Sequence, residues 1–389
     1  MSANTSCKKR AAELLSALLN EGGPGEWPSD ASIREFGETC AGEFFREVVE
    51  PLADSFDAAQ AAIYERLMRV WIPELPAATP VIPTAVDVVY VLSRVTLGAD
   101  IKIVSPILAS MKQRFPESRI VFVANRKSAE LFEADRRIEH LNADYPRSGP
   151  LSARLEFAAD LRSRLQGGNC IVVDPDSRMT QLGLIPVCDP ERCFHFPSRT
   201  IGGESGENLT DLVVRWLQTT FGVSGSAYIA PRGEPVSGAG RRAAISLGVG
   251  ENESKRLGGD FETRLIEVSG MHFETVWVDR GVGGDEARRV TAAVEAGLVA
   301  DRVRFWEGGF AGFASIISQS DFYAGYDSAG QHAAAAAGVP LISIFAGAPS
   351  ERFARRWTPA GHRNVLRILT DGMTPEAVLE EFVTWMPLD

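Results

Sequence analysis

The stretch of sequence that decides the fold is residues 304–346, RFWEGGFAGFASIISQSDFYAGYDSAGQHAAAAAGVPLISIFA. Its apolar residues fall first at helical spacing and then in short continuous runs, which predicts strand, helix, strand, tight turn, helix and strand. The alanine run that begins at Ala333 favours a helix, because alanine has the highest helix propensity. Gly338 stands where a C-terminal cap belongs, and Pro340 keeps the helix from continuing into a buried strand at Leu341–Phe345.

The turn before the alanine helix is a candidate anion site. Asp327 or Ser328 can cap the helix, and Ala329 and Gly330 let a ligand approach the backbone closely. The first amides of a helix have no intrahelical acceptor and carry a partial positive charge, which suits a phosphate group. An ordinary capped turn between a strand and a helix has the same spacing, so the residues alone leave both interpretations open.

A family resemblance adds weight to the anion site. The segment Asp327–Leu341 resembles the motif D-(S/T)-G-x-x-H-x-A-A-A-x-G-x-P of the ADP-heptose:lipopolysaccharide heptosyltransferase family. Asp327, Ser328 and His332 fall on the motif, and Ala329 stands where the family usually has glycine. The resemblance implies an inverting glycosyltransferase with two Rossmann-like α/β domains facing each other across a cleft, the GT-B architecture.

Length and composition limit the class of protein. The chain has 389 residues, enough for two or three domains, and its 45% hydrophobic and 23% charged residues are typical of a soluble globular protein. A formal net charge of -11 argues against nonspecific nucleic-acid binding. No apolar run is long enough for a membrane span, and the N-terminus has no secretory signal, so we expect a cytoplasmic protein.

The cysteines predict neither a disulfide framework nor a metal site. Their number is odd and their spacing matches no standard zinc site. They are Cys7, Cys40, Cys170, Cys188 and Cys193. We therefore expect free thiols in a reducing cytoplasm.

Residues 1–80 predict a helical N-terminal module, because apolar residues recur there at helical spacing. The proline-rich segment from Ile72 to Pro83 breaks helices and marks a linker at the end of the module. The module is either a packing extension that covers the next domain or an element for acceptor binding or oligomerisation. The sequence does not decide between these roles.

Residues 86–224 predict the first Rossmann-like domain, on the acceptor side. The continuous apolar runs Val88–Leu92 and Arg119–Ala124 are typical of buried parallel strands, and Thr96–Asp100 predicts a turn between them. Later in this domain, the polar loop Asp174–Arg178 follows another predicted strand. It could contact an acceptor, although a hydrogen-bonded turn with a salt bridge is the favoured interpretation.

The segment after the first strand carries the candidate general base. It resembles the family's unit R-x-S-x-x-G-D-x-x-x-x-x-P-x-L, with Ala99 standing between Gly98 and Asp100. The resemblance implies that Asp100 removes the proton of the acceptor hydroxyl. A carboxylate that follows a parallel strand lies at the sheet edge where ligand sites occur, but Asp100 could also serve only as a helix cap.

Residues 241–389 predict the second Rossmann-like domain, on the donor side, after a Gly-, Ser- and Pro-rich linker at 222–240. Gly248 opens a loop that ends in Lys255 and Arg256. This loop resembles the family's P-G-A-x-x-x-x-K-R-W-P loop without the proline and the tryptophan. The resemblance implies that Lys255 holds the donor's diphosphate, with Arg256 as a second candidate.

A further glycine-rich loop, Asp279–Glu286, opens the next predicted helix. The family has a related loop near the ribose of its nucleotide, which implies that Asp285 or Glu286 accepts hydrogen bonds from ribose hydroxyls. An acidic first turn favoured by the helix dipole is the alternative.

Together these residues predict transfer of a sugar, of which a heptose is one candidate, from a nucleoside-diphosphate sugar to a hydroxyl of a glycan, a protein or a small molecule. Asp100 would act as base, while Lys255 and the turn Ser328–Gly330 would stabilise the departing diphosphate. Asp327 would bind sugar hydroxyls, and His332 would contact phosphate or support the turn. This chemistry requires no metal and no cofactor.

Two other functions stay open. One is a sugar-nucleotide epimerase on the same scaffold, which would turn over without an acceptor. The other is a non-catalytic binding or assembly module, and the sequence is also compatible with a homo-oligomer.

Overall fold

The computed structural model describes residues 3–19, 27–74, 78–165, 168–236, 240–250, 252–281, 283–361 and 364–386. Residues 75–77 of the predicted proline-rich linker and residues 237–239 of the predicted inter-domain linker lie outside these ranges.

Strands and helices alternate through most of the chain after an all-helical beginning. Up to residue 221 the elements are α1 (Ala3–Leu19), α2 (Asp30–Thr39), α3 (Ala41–Phe44), α4 (Glu50–Asp54), α5 (Ala58–Met68), β1 (Val88–Leu92), α6 (Leu97–Ala99), α7 (Ser105–Arg114), β2 (Arg119–Ala124), α8 (Arg126–Ala129), β3 (Ile138–Asn142), α9 (Leu151–Leu165), β4 (Cys170–Asp174), β5 (Cys193–His195) and α10 (Leu209–Phe221). The later elements are β6 (Arg242–Ser246), α11 (Phe261–His272), β7 (Thr275–Asp279), α12 (Gly284–Glu295), β8 (Val303–Trp306), α13 (Phe310–Ser318), β9 (Phe322–Tyr326), α14 (Ala329–Ala336), β10 (Leu341–Phe345), α15 (Glu351–Trp357), β11 (Val365–Leu369) and α16 (Pro375–Trp385).

Shorter helical segments connect some of these elements. Two are π-helical, Phe45–Val49 and Asp100–Val104. Single 3-10 turns cover Glu130–Phe132, Arg178–Thr180, Pro190–Arg192, Glu253–Lys255 and Ala300–Arg302.

The chain forms two compact units. Unit 1 holds the described residues of Met1–Val95, Phe115–Asn125 and His140–Glu207. Unit 2 holds those of Thr96–Arg114, Arg126–Glu139 and Asn208–Asp389. The helical segment that connects β1 to β2 therefore belongs to unit 2. The domain boundaries expected from the sequence stay a prediction.

Unit 1 contains a five-stranded sheet of order β3-β2-β1-β4-β5. Strand β1 pairs in parallel with β2 and with β4, and β4 pairs in parallel with β5. Val89, Val91 and Leu92 are completely buried, which explains why β1 reads as a continuous apolar run. The predicted strands Val88–Leu92 and Arg119–Ala124 are confirmed.

The five N-terminal helices of unit 1 confirm the predicted helical segment. Ser29 caps α2, since its side chain accepts a hydrogen bond from the backbone N–H of Ser32. The helices bury an aromatic core around Phe44, which also includes Leu151 of α9 and Leu182. The helical segment therefore covers this part of unit 1, as the packing interpretation expects.

The prediction that all cysteines are free thiols is wrong for two of them. Cys7 and Cys40 form a disulfide, because packing of α1 against the start of α3 brings their Cα atoms to 5.7 Å. No local pattern signals this pairing, since 33 positions separate the two cysteines and the chain contains an odd number of cysteines. Cys170, Cys188 and Cys193 are free, as expected.

Unit 2 contains a six-stranded sheet of order β11-β10-β9-β6-β7-β8. The pattern predicted for residues 304–346 is confirmed, and Gly338 follows α14 with φ +74°, a conformation that glycine adopts at low cost. The predicted turn at Thr96–Asp100 is wrong. Thr96 is the N-cap, and the chain is already helical from Leu97 onward.

Among the described residues, no helix is both long enough and apolar enough to cross a membrane. The two parallel sheets and their flanking helices establish the α/β class.

The disulfide gives a test of the helical segment. The double substitution Cys7→Ser/Cys40→Ser should lower the free energy of unfolding by about 3–4 kcal/mol, because the bridge restricts an unfolded loop of this length. Denaturant unfolding with and without reductant measures the effect. Reductant should destabilise the wild type and leave the double variant unchanged. Equal stability of the wild type and the double variant in the absence of reductant would contradict the pairing.

Candidate functional site

The turn between β9 and α14 lies at the carboxyl edge of the unit 2 sheet. Ser328 is the N-cap of α14 by its extended backbone, but its side chain does not cap the helix. The Ser328 hydroxyl oxygen is buried and interacts with the hydroxyl of Tyr323. The N–H of Asp327 donates to the carbonyl of Ile344 at 3.0 Å, which fixes the turn to β10. The amides of the first helical turn are therefore not capped by a side chain.

Gly330 is required because the side chain of Tyr323 leaves no room for a Cβ atom at this position. A Cβ atom at Gly330 would lie 2.2 Å from the hydroxyl oxygen of Tyr323, and one at Gly325 would lie 2.7 Å from the same atom. Tyr323 is fully buried in β9, and burial raises the pKa of its hydroxyl. Its neutral hydroxyl group thus fills the space under the start of α14.

Lys255 and Asp327 form an ion pair at this turn. The Lys255 Nζ lies 2.8 Å from Oδ2 of Asp327 and 3.4 Å from its carbonyl oxygen. The other carboxylate oxygen of Asp327 accepts a hydrogen bond from Gln331. Two residues predicted from separate motifs are thus in direct contact, and both side chains are mostly buried.

His332 lies one turn into α14 and is 5% exposed. Burial and the nearby ammonium groups of Lys102 and Lys255 hold the pKa of His332 well below its usual range. The imidazole is therefore neutral at physiological pH. Its ring centroid lies 5.9 Å from that of Trp357.

Gly98 joins the segment after β1 to α14. A Cβ atom at Gly98 would lie 3.0 Å from Cδ2 of His332 and 3.6 Å from Cα of Ala329. A larger side chain would push the two helical segments apart. The contact places Asp100, two residues later, in the same part of unit 2.

Asp100 begins the π-helical segment and is completely buried. Its N–H donates to the carbonyl of Thr96 at 2.9 Å, so Asp100 lies one turn inside the helix and is not its cap. π-Helical segments are often found at functional sites, since they displace side chains from the regular helical register.

Lys102 is a neighbour that the sequence analysis missed. Its side chain is buried, and Nζ donates to Oδ1 of Asn208 at 2.6 Å and to the carbonyl of Thr358 at 2.7 Å. Burial lowers the pKa of Lys102 to about 7, against the opposing effect of Asp211 and Asp327. The only sequence signal was a lysine enclosed by apolar residues in a helix.

A second group of predicted residues meets at the carboxyl ends of β6 and β7. A Cβ atom at Gly248 would lie 2.6 Å from Oε1 of Glu286, and one at Gly281 would lie 3.1 Å from the same oxygen. Burial raises the pKa of Glu286 and also that of Asp279. Asp285, in contrast, is almost fully exposed and pairs with Arg288.

Arg256 and Lys255 have different surroundings despite their adjacency. Arg256 pairs with Glu253 at 2.6 Å and with the buried Glu262 at 3.2 Å. Glu262 also pairs with Arg289. The Arg256 guanidinium is therefore neutralised by carboxylates of its own surroundings, whereas Lys255 lies at the α14 turn.

The polar loop of unit 1 forms a closed network. Asp174 accepts a hydrogen bond from the N–H of Ser177 at 2.7 Å, and Arg178 pairs with Asp54 at 3.1 Å. The favoured interpretation, a hydrogen-bonded turn with a salt bridge, is confirmed.

The carboxyl edge of this sheet also holds backbone strain, because Asp176 and Val95 both have a positive φ, +67° and +74°.

Sequence reasoning did not identify the partners of Asp176. Its carboxylate contacts Nε2 of His195 at 3.1 Å, the hydroxyl of Ser198 at 2.8 Å and Nε of Arg199 at 3.2 Å. Against the effect of burial, Arg199, His195 and Arg94 hold the pKa of Asp176 below its usual range, and Asp176 in turn helps to raise the pKa of His195. Tyr64 of α5 packs against Arg199, so the helical segment contributes to this edge.

The structure therefore gathers most of the predicted residues into two groups in unit 2. The first contains Asp100, Lys255, Asp327, Ser328, Ala329, Gly330 and His332. The second contains Gly248 and Glu286. Arg256 and Asp285 are engaged elsewhere, with their own charged neighbours.

The structure is similar to those of several glycosyltransferases. A family 9 glycosyl transferase from Veillonella parvula superposes with a TM-score of 0.55 and 16% identity, over 77% of this chain and 97% of the other. The Escherichia coli heptosyltransferase WaaC, solved with ADP, gives 0.55 and 14%, over 76% and 98%. The E. coli ADP-heptose lps heptosyltransferase II gives 0.50 and 16%, over 76% and 97%.

No protein-family model matches the sequence, and neither does any curated protein. At these low identities the similarity establishes the fold, and the predicted two-sheet α/β architecture of GT-B type is confirmed.

The buried Lys102 gives a pH-dependent test. Its folded-state pKa of about 7 lies below the ordinary value, so the unfolded chain binds the additional proton between about pH 7 and pH 10. The stability of the wild type should therefore rise with pH in this window relative to Lys102→Met, by up to about 1.4 kcal/mol per pH unit. Denaturant unfolding at pH 6.5 and 8.5 measures the difference. The exposed-lysine control Lys9→Met should follow the wild type, and parallel pH profiles for the wild type and Lys102→Met would exclude the shift.

Proposed function

We propose that the protein is a glycosyltransferase that transfers a sugar from a nucleoside-diphosphate sugar to an acceptor hydroxyl. The observation that supports this most strongly is the meeting of Lys255, the uncapped start of α14 and the Asp100 segment in one part of unit 2. The similarity of the fold to heptosyltransferases makes ADP-heptose the first donor to test.

The donor's diphosphate would bind at the start of α14. The amides of residues 329 and 330 would face the anion there, and the Lys255 ammonium would supply a full positive charge. Negative charge develops on the leaving diphosphate as the bond to the anomeric carbon breaks, so both groups stabilise the transition state more than the bound donor. The neutral His332 would donate or accept a hydrogen bond at this site without adding charge.

The rest of the donor would use the carboxylates. Asp327, released from Lys255, would bind hydroxyls of the sugar. Glu286 would accept hydrogen bonds from the ribose hydroxyls, because it lies partly buried against the glycine loops. We assign no donor contact to Asp285 or Arg256, since each is engaged with its own charged neighbours.

Asp100 would act as the general base. The acceptor oxygen attacks the anomeric carbon, the bond to the diphosphate breaks, and the hydroxyl proton passes to the Asp100 carboxylate. Since Asp100 has no exposed surface, the segment around it must move before an acceptor can reach the carboxylate. Attack opposite to the leaving group would invert the anomeric configuration.

Nucleotide binding tests the donor site. In calorimetric titrations with ADP, UDP, GDP and CDP, at least one nucleotide should bind, with or without magnesium. Lys255→Ala should weaken this binding by about tenfold, or roughly 1.4 kcal/mol, because a full charge is removed. Asp327→Asn should strengthen it, because the ammonium is no longer paired with a carboxylate. If none of the four nucleotides binds, the donor-site assignment is wrong.

Turnover tests the reaction itself. Asp100→Asn should lower kcat by at least about 100-fold and leave nucleotide affinity unchanged, because only proton removal is lost. Release of nucleoside diphosphate from a donor, measured with and without a panel of acceptors, reports the rate. Sugar rearrangement without any acceptor would indicate an epimerase, and tight nucleotide binding without turnover would indicate a binding module.

A further inference from the structure

A cavity of about 770 Å³ lies in unit 2, and none of the candidate donor-site residues lines it. Its walls are β7 and β8, the helix α13 and the chain segment 231–236. Two tryptophans, Trp277 and Trp306, contribute the large aromatic surfaces. The volume falls within the ordinary range of small-molecule sites.

The register of the sheet places both indoles on one face. Trp277 pairs with Arg304, and Trp306 pairs with Asp279, so the two tryptophans are offset by two positions along neighbouring strands. Val276 and Val278 point to the opposite face and are completely buried.

The chain topology keeps the tryptophan face partly open. β8 is the edge strand of this sheet. After β8 the chain continues through α13 to β9, and β7 and β6 separate β8 from β9 in the sheet. The segment 231–236 closes the remaining side. It is held by hydrogen bonds between the side chain of Gln319, the residue that caps the C-terminus of α13, and the backbone of Val236 and Glu234. The cavity is therefore formed before any ligand binds.

The Trp306 indole is fixed in orientation. Nε1 of Trp306 donates to the carbonyl of Gly309 at 3.2 Å. A Cβ atom at Gly308 or Gly312 would lie 2.8 or 2.2 Å from the Trp306 ring, so both glycines make room for the indole. Nε1 of Trp277 is buried and has no acceptor among the described residues. A rigid aromatic surface costs little conformational entropy when a ligand binds.

Polar groups of both signs surround the aromatic surfaces. Arg232 and Glu234 are exposed on the segment 231–236, and Ser315 lies on α13. Arg232 is 3.4 Å from Glu133, and its side chain is 72% exposed. The rim of the cavity therefore offers both hydrogen-bond donors, on Arg232, and hydrogen-bond acceptors, on Glu234.

We propose that this cavity binds a pyranose unit of a neutral oligosaccharide. A pyranose ring has apolar C–H faces, which pack on indoles, and a rim of hydroxyls, which both donate and accept hydrogen bonds. The guanidinium of Arg232 would donate to these hydroxyls and the carboxylate of Glu234 would accept from them. This inference goes beyond the proposed function and does not depend on it.

The test is titration of the full chain with three neutral tetrasaccharides, maltotetraose, cellotetraose and chitotetraose, by calorimetry and by tryptophan fluorescence. At least one should bind. Trp277→Ala should weaken that binding by tenfold or more, and the surface substitution Glu234→Ala, which leaves the core intact, should weaken it severalfold. Trp385→Phe, at a tryptophan that is 59% exposed on α16, is the matched control and should bind like the wild type.

Three results would overturn the proposal: no binding of any of the three saccharides, binding that neither Trp277→Ala nor Glu234→Ala affects, or displacement of the saccharide by saturating ADP. Saccharide binding in a protein that binds no nucleotide would support this site and at the same time remove the proposed transferase function.

Discussion

The close contact of Gly98 with His332 is the constraint on which the candidate site depends. Because Gly98 has no Cβ, the helical segment after β1 can lie against the start of α14, where a Cβ atom would come within 3.0 Å of Cδ2 of His332. This contact explains why the segment groups with unit 2 although its flanking strands belong to unit 1. It also brings Asp100 and Lys102 to the part of the molecule that holds Lys255.

Burial then determines the electrostatics of this location. Two lysines approach one histidine, and in a region of low dielectric the least costly arrangement leaves the imidazole neutral and shifts Lys102 toward its neutral amine. A neutral amine has two N–H groups, which match the two acceptors that surround Lys102, Asn208 and the carbonyl of Thr358. Lys255 keeps a carboxylate partner. The site thus limits its own charge while retaining one strong cation for a ligand.

Much of the fold could be predicted from the sequence, because buried parallel strands require continuous apolar runs and capped helices require specific end residues. The strands at Val88 and Leu341 and the alanine helix that ends before Gly338 follow from such patterns. The resemblance identified Lys255 and Asp327, but their pairing depends on a contact 72 residues apart, which no local pattern encodes. Lys102 was missed because a lysine in a helix is ordinarily solvated. The predicted cytoplasmic location stays a prediction.

The ion pair between Lys255 and Asp327 also implies a form of selectivity. Any anion that approaches Lys255 has to compete with a carboxylate that is already in place and mostly buried. Besides Lys255, a small inorganic anion gains only the free amides at the start of α14, which compensate for the displaced carboxylate in part. A larger ligand that also contacts the glycine loops near Glu286 can offset that cost. The Asp327 carboxylate therefore disfavours the binding of small anions at Lys255 relative to a ligand that also contacts the glycine loops.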